Sequence, residues 1–139
     1  MKVRFSADAD FDRRIAHATL RREAGIDLQL AAAARDGASL QGVPDDQVLA
    51  EAARERRILL SHDHRTIPRH FATFITLQHS PGVIIMPQRM GIRLAMEWIV
   101  TIWGASEAEE WIDQITIWCI RGSTPRIWTC YSAKCAFLP

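Results

Sequence analysis

The sequence of 139 residues has few lysines, few cysteines and no long apolar run, and each scarcity excludes a class of protein. Lysine occurs only at Lys2 and Lys134, so arginine supplies almost all of the basic charge. The net charge of +1 excludes a strongly basic coat, and any contact with nucleic acid must come from a local patch. The densest apolar stretch, IRLAMEWIVTIW, includes Arg93 and Glu97 and is too short and too charged to span a bilayer.

The three cysteines, Cys119, Cys130 and Cys135, lie near the end of the chain and form no CxxC or Cys/His pattern. An odd number without such spacing suits a reducing compartment and is weak evidence for a metal site. The opening MKVRFSADAD becomes acidic where the apolar core of a secretory signal would continue. We therefore expect a cytoplasmic protein that does not associate with membranes.

Short apolar runs alternate with longer amphipathic segments along most of the chain. The runs VRFSA, IDLQL, ILL, VIIM and ITIWCI are typical of strands, and the segments between most of them have helical spacing. This βαβαβαβαβ order predicts an α/β protein, a three-layer sandwich with a central, mainly parallel sheet. The continuous apolar character of ILL predicts a strand that is buried on both faces.

Polar residues and turn formers suggest where the helices begin. We expect a first helix over 11–23 capped by Asp10, with Asp12 solvated, and a helix that starts at Asp45 and Asp46, the latter also solvated. We also expect a short helical turn in AAAARDG, a helix capped by Thr66 and a helix over 91–103. A capping box of Ser106 and Glu109 predicts one more short helix.

The end of the chain has no clear periodicity. The segment RGSTPRIWTCYSAKCAFLP could be a strand, a packed arm or a partly disordered tail. We therefore predict one domain over 1–118 and an irregular tail or arm over 119–139.

Three aspartates fall where a parallel sheet places its sites. Asp8 follows the first predicted strand, Asp63 follows the third, and Asp45 begins the helix that leads into the third. Ligands of such sheets bind at the carboxyl ends of the strands. If the three side chains converge, their oxygens suit Mg²⁺ or Mn²⁺ and phosphoryl chemistry. A helix-start aspartate such as Asp45 also has a plain structural explanation in the helix dipole.

The pair DAD at 8–10 resembles the Asp-x-Asp of haloacid dehalogenase-like phosphatases, and receiver domains also place acidic residues after their first strand. Both families use a lysine from a late strand end. Lys2 precedes the motif and Lys134 lies in the irregular segment, so a phosphatase is our third hypothesis.

A third resemblance covers more of the chain, roughly residues 1–115. The stretch ARERRILLSHDHRT resembles the closing motif of PIN-domain nucleases, and VPDDQVLAEAARERR resembles their Asp-initiated helix. With VRFSADADFD in front, the order resembles short bacterial PIN-like proteins related to VapC toxins. It is also similar to an uncharacterised PIN-like family with DAD openings and SHD…T-x-P-x-H-F turns.

The resemblance implies a fold and a site. Asp8, Asp45 and Asp63 would be the catalytic carboxylates and would bind Mg²⁺ or Mn²⁺. Asp10 would be a further metal ligand or a supporting group, or would only cap a helix. Ser61, His62 and Thr66 would support these ligands. Nearby histidines, His62, His64 and His70, could bind a metal or contact a phosphate. Four arginines could hold RNA phosphates or form a solvated helix face: Arg13, Arg14, Arg65 and Arg69.

The leading functional hypothesis is a metal-dependent endoribonuclease, the toxin of a toxin–antitoxin pair, with RNA as substrate, a cognate antitoxin as partner and a homodimeric state. Typical PIN toxins also have a glutamate on a helix between the two blocks, and here only Glu23 lies in that interval. That departure motivates the alternative, a non-catalytic PIN-like binding or assembly module.

Overall fold

A six-stranded sheet with helices on both faces organises the protein in a computed structural model, which describes residues 1–30, 43–121 and 124–131. The strands are β1 (Phe5–Ala7), β2 (Leu28–Leu30), β3 (Ile58–Ser61), β4 (Val83–Ile85), β5 (Gln114–Arg121) and β6 (Thr124–Tyr131). The helices are α1 (Arg13–Arg22), α2 (Asp45–Glu55), α3 (Ile67–Leu77) and α4 (Ile92–Ala105), and a 3₁₀ turn covers Ala108–Trp111.

The strand order is β2-β1-β3-β4-β5-β6, and β1 to β5 run parallel while β6 pairs antiparallel with β5. Phe5 of β1 lies beside Leu28 on one side and Ile58 on the other. This register brings the carboxyl ends of β1 and β3 together at one edge of the sheet. The predicted three-layer α/β sandwich with a mainly parallel sheet is confirmed.

Two apolar clusters fill the layers. One contains residues of α1 and α4 and one side of the strands, including Ile15, Leu60 and Ile99, and the other contains residues of α2 and α3, including Leu49 and Leu59. Consecutive leucines of β3 thus enter opposite clusters, because successive strand side chains point to opposite faces. The prediction that ILL is buried on both faces is confirmed. In the part of the chain that is described, no helix has the length and apolarity needed to cross a membrane.

The predicted cap of the first helix is wrong. Asp12, and not Asp10, caps α1: its carboxylate accepts the Arg14 N–H at 2.9 Å. Phe11 N–H donates to the Asp8 carbonyl at 3.0 Å, so residues 8–11 form a turn that delays the helix to Arg13. Asp12 is therefore a structural residue and not merely solvated.

The predicted capping box of Ser106 and Glu109 is displaced by one residue. Glu107 and Glu110 form the box, while the Ser106 hydroxyl donates to the Ile102 carbonyl at 2.7 Å and accepts from the Trp111 indole at 2.9 Å. These bonds occupy the hydroxyl that the sequence pattern assigned to the cap.

The predicted boundary after residue 118 falls inside β5. Residues 124–131 form β6, so this part of the end of the chain is a strand of the same sheet, one of the alternatives that the sequence left open. The predicted helical turn in AAAARDG lies outside the described residues.

Candidate functional site

The ends of β1 and β3 bring two of the predicted aspartates to the same buried serine. Asp8 follows β1 directly, and Asp63 lies just beyond Ser61, the last residue of β3. The Ser61 hydroxyl donates to Asp8 Oδ2 at 3.1 Å and accepts the Asp63 N–H at 3.0 Å. Ser61 is fully buried, so it fixes both aspartates to the same strand end.

Thr66 joins the third carboxylate to this group. Its hydroxyl lies 2.6 Å from Asp45 Oδ2 and also forms a short hydrogen bond with Asp63 Oδ2. Asp63 Oδ1 in turn accepts the N–H groups of Arg65 and Thr66 at 2.9 and 3.0 Å. A hydroxyl has one proton to donate, so it can satisfy only one of two ionised carboxylates. The shared hydroxyl therefore holds two carboxyl groups close together, an arrangement that a nearby cation would stabilise.

The pKa values of two carboxyl groups move in opposite directions. Burial raises the pKa of Asp8, and hydrogen bonds from Ala9 and Ser61 offset this only in part, while the negative charges of Asp10 and Asp45 raise it further. Burial also acts to raise the pKa of Asp63, but hydrogen bonds from Thr66 and Arg65 outweigh it and leave the pKa below its ordinary value. Paired carboxylates with divergent pKa values are a feature of functional sites.

The raised pKa of Asp8 makes a prediction about stability. An acid whose pKa is higher in the folded than in the unfolded state binds protons more tightly when the protein is folded. The free energy of unfolding therefore falls as the pH rises from 3.8, the ordinary pKa of Asp, through the raised pKa of Asp8. Above the raised pKa this cost is fully present, and Asp8→Asn removes it. In EDTA at pH 7 the variant should melt at a higher temperature than the wild type, by a margin that shrinks toward pH 3.8. A lower melting temperature at pH 7 would contradict the assignment.

His62 is buried and uses both of its ring nitrogens inside the protein. Nδ1 lies 2.8 Å from the Met86 carbonyl, and Nε2 lies 3.1 Å from the Asp12 N–H. A carbonyl only accepts and a backbone N–H only donates, which makes Nδ1 the protonated nitrogen and Nε2 the acceptor. His62 therefore has no nitrogen to spare for a metal, so the structure does not support the suggestion that it binds one.

The other predicted residues differ in their exposure and in their contacts. His64 and His70 are exposed, and His70 Nε2 is 3.7 Å from Asp45 Oδ2. Arg13, Arg65 and Arg69 are exposed. Arg14 forms an ion pair of 2.9 Å with Asp12 across the start of α1, which reduces its availability for a phosphate.

Two residues that contact His62 were not predicted from the sequence. Phe11 stacks on the His62 ring with centroids 4.6 Å apart, and the main-chain carbonyl of Met86 accepts from the same ring. The residue type does not reveal a bond to a main-chain carbonyl, and Phe11 was predicted only as part of the helix over 11–23. Lys2, by contrast, precedes β1 and donates to the Trp103 carbonyl at 3.0 Å. It therefore lies at the opposite end of the strand from Asp8.

The oxygen donors fit a hard divalent cation in their chemistry, since carboxylates suit Mg²⁺ and Mn²⁺. The Thr66 hydroxyl contacts Asp45 Oδ2 and Asp63 Oδ2 together, so two groups that carry negative charge lie close to each other. Within the described residues, however, no three His, Cys, Asp or Glu side chains are gathered so as to hold a metal ion. Binding by all three aspartates therefore requires their side chains to move closer together.

The fold and the carboxylate cluster together define an α/β protein with an acidic site at the carboxyl edge of a mainly parallel sheet. Comparison of the chain with protein-family models, curated proteins and solved structures finds no match in any of the three. The PIN-like resemblance therefore rests on the motifs quoted above.

Proposed function

We propose that the acidic cluster of Asp8, Asp45 and Asp63 binds Mg²⁺ or Mn²⁺ and that the protein is an endoribonuclease of PIN-like type. The observation that carries the proposal is the Thr66 hydroxyl shared by Asp45 and Asp63, with Ser61 tying Asp8 to the same strand end. Bound at this edge, a divalent cation would lower the pKa of a water molecule and offset the charge of a phosphodiester.

The chain itself would supply the ligands and the substrate contacts. Asp63 stays ionised near neutral pH because hydrogen bonds lower its pKa, which keeps a negative charge for the cation. Three exposed arginines lie at or near the starts of α1 and α3, the helices that follow Asp8 and Asp63: Arg13, Arg65 and Arg69. Guanidinium groups bind phosphate oxygens of RNA through paired hydrogen bonds. The near-neutral net charge makes this local patch the expected source of RNA affinity.

The proposal includes a cellular setting, which rests on the resemblance of the motifs to those of PIN-like toxins. The protein would act in the cytoplasm as the toxin of a toxin–antitoxin pair, with a cognate antitoxin as partner and with a second copy of itself in a homodimer. RNA is the proposed substrate, and Mg²⁺ or Mn²⁺ is the proposed cofactor.

The direct test incubates the purified protein with a mixed-sequence RNA in Mn²⁺, in Mg²⁺ and in EDTA. Cleavage in either metal and none in EDTA is the expected result. Intact RNA in all three would contradict the ribonuclease, provided that circular dichroism shows the protein to be folded. Release of phosphate from a small phosphomonoester would instead favour the phosphatase.

A second candidate is a non-catalytic PIN-like module for binding or assembly. The absence, within the described residues, of a group of three side chains arranged for a metal ion favours this candidate. Glu23 is the only glutamate in the sequence between Asp8 and Asp45, and it lies just after the end of α1 and not on a helix. This departure from the PIN toxins points the same way. A folded protein that does not bind Mn²⁺ at millimolar concentration would support the binding module over the nuclease.

A further inference from the structure

The turn that carries Asp8 and Asp10 is anchored at both ends by β3 and the residue that follows it. At the first end, the Asp8 N–H donates to the Leu60 carbonyl at 2.8 Å. At the second end, the Asp12 N–H donates to His62 Nε2 at 3.1 Å. Leu60 and His62 are two positions apart, and the Ser61 hydroxyl between them contacts Asp8.

His62 is held in turn by contacts that leave its ring one orientation. Its Nδ1–H donates to the Met86 carbonyl, just beyond β4, at 2.8 Å. Its face stacks on Phe11 with an interplanar angle of 14°, and both side chains are buried. A buried ring that is held by a neighbouring strand end is a rigid support for whatever its remaining nitrogen binds.

We propose that His62, protonated on Nδ1 and not on Nε2, is a positioning residue of the acidic site. It fixes the turn of residues 8–12, and through it Asp8, without contacting the cation. The proposal for cation binding rests on the proposed function, whereas the anchoring of the turn does not. The polar bond to Asp12 also fixes the start of α1, because Asp12 is the cap of that helix.

Two substitutions separate the two hydrogen bonds of the ring. In His62→Asn the side-chain amide nitrogen can replace Nδ1 and donate to Met86, but nothing replaces the acceptor for Asp12. In His62→Gln the longer side chain places its carbonyl oxygen near the position of Nε2, so the Asp12 bond is retained and the Met86 bond is lost. His64→Asn is the matched control, because His64 is exposed and lies two positions further along.

The measurements are the hydrogen-exchange rate of the Asp12 amide and the affinity for Mn²⁺ alone. We expect His62→Asn to accelerate Asp12 exchange about tenfold, the factor that corresponds to a typical hydrogen bond, and to weaken Mn²⁺ binding by a similar factor. His62→Gln should be closer to the wild type in both, and His64→Asn should leave Asp12 exchange unchanged. Equal effects of the asparagine and glutamine variants would overturn the assignment.

The wild type provides an independent check that needs no variant. Nitrogen-15 spectra of the imidazole should show the tautomer of His62 with a protonated Nδ1 and an unprotonated Nε2, and the opposite tautomer would refute the proposal. If the wild type binds no Mn²⁺, the proposed function fails, and the exchange rate of Asp12 still decides whether His62 anchors the turn.

Discussion

Asp63→Asn is expected to reduce Mn²⁺-dependent RNA cleavage more than ~100-fold, because changing residues that merely orient a metal ligand already costs 10–100-fold. The fold should survive, since the asparagine carbonyl can still accept the N–H groups of Arg65 and Thr66. The new amide would also donate to the Thr66 hydroxyl, which could then give its single proton to Asp45. The loss would therefore come from the missing charge and not from unfolding.

The control for this experiment is Asp46→Asn. Asp46 is exposed in the first turn of α2, next to Asp45. Its substitution by asparagine removes the same charge from the same region. It should retain cleavage within about threefold of the wild type, a change of less than ~1 kcal/mol. Equal losses in the two variants would show that general acidity, and not a ligand at position 63, supports the activity.

Gly82→Ala is expected to destabilise the protein by about 2–5 kcal/mol through backbone strain and overpacking together. Gly82 has φ of +118°, a conformation that residues with a side chain rarely adopt. A methyl group there would lie 2.6 Å from the Trp111 carbonyl oxygen, and main chain cannot move aside cheaply. Urea unfolding followed by tryptophan fluorescence measures the loss.

Gly104→Ala is the matched glycine control. A Cβ at Gly104, in α4, would meet nothing within 4 Å, and alanine favours a helix over glycine by up to about 1 kcal/mol. This variant should be as stable as the wild type or slightly more so. A Gly82→Ala protein with wild-type stability would show that the turn before β4 differs from the described one.

The order of the elements was predictable because each segment has a consistent local pattern. The ILL run before Ser61 could only be a strand covered on both faces, and two acidic residues at Asp45 and Asp46 indicated the start of α2. Local pattern also predicted that aspartates would follow β1 and β3. Parallel neighbours then brought these residues to one edge of the sheet.

The errors arose where several residues of the same kind compete. Asp8, Asp10 and Asp12 are all suitable helix caps, and a single main-chain hydrogen bond from Phe11 to Asp8 decides the start of α1. No residue-level signal specifies that bond. The bonds of His62 are equally invisible, since they join segments that are distant in sequence.

The last strand could have been found. The dipeptide Gly122-Ser123 separates two runs rich in β-branched and aromatic residues, and a two-residue interval of this kind is typical of a hairpin. The absence of a clean period over the whole segment concealed that signal. The predicted boundary after residue 118 lies inside β5, before this hairpin signal.

The measurement that tests the central claim most directly is a calorimetric titration of the folded wild type with Mn²⁺, repeated on Asp63→Asn and Asp46→Asn. We expect binding to the wild type and to Asp46→Asn and its loss in Asp63→Asn, which would place the cation at the carboxyl ends of β1 and β3. No heat of binding to the folded wild type at millimolar Mn²⁺, or equal binding by all three proteins, would contradict a metal site built on Asp8, Asp45 and Asp63.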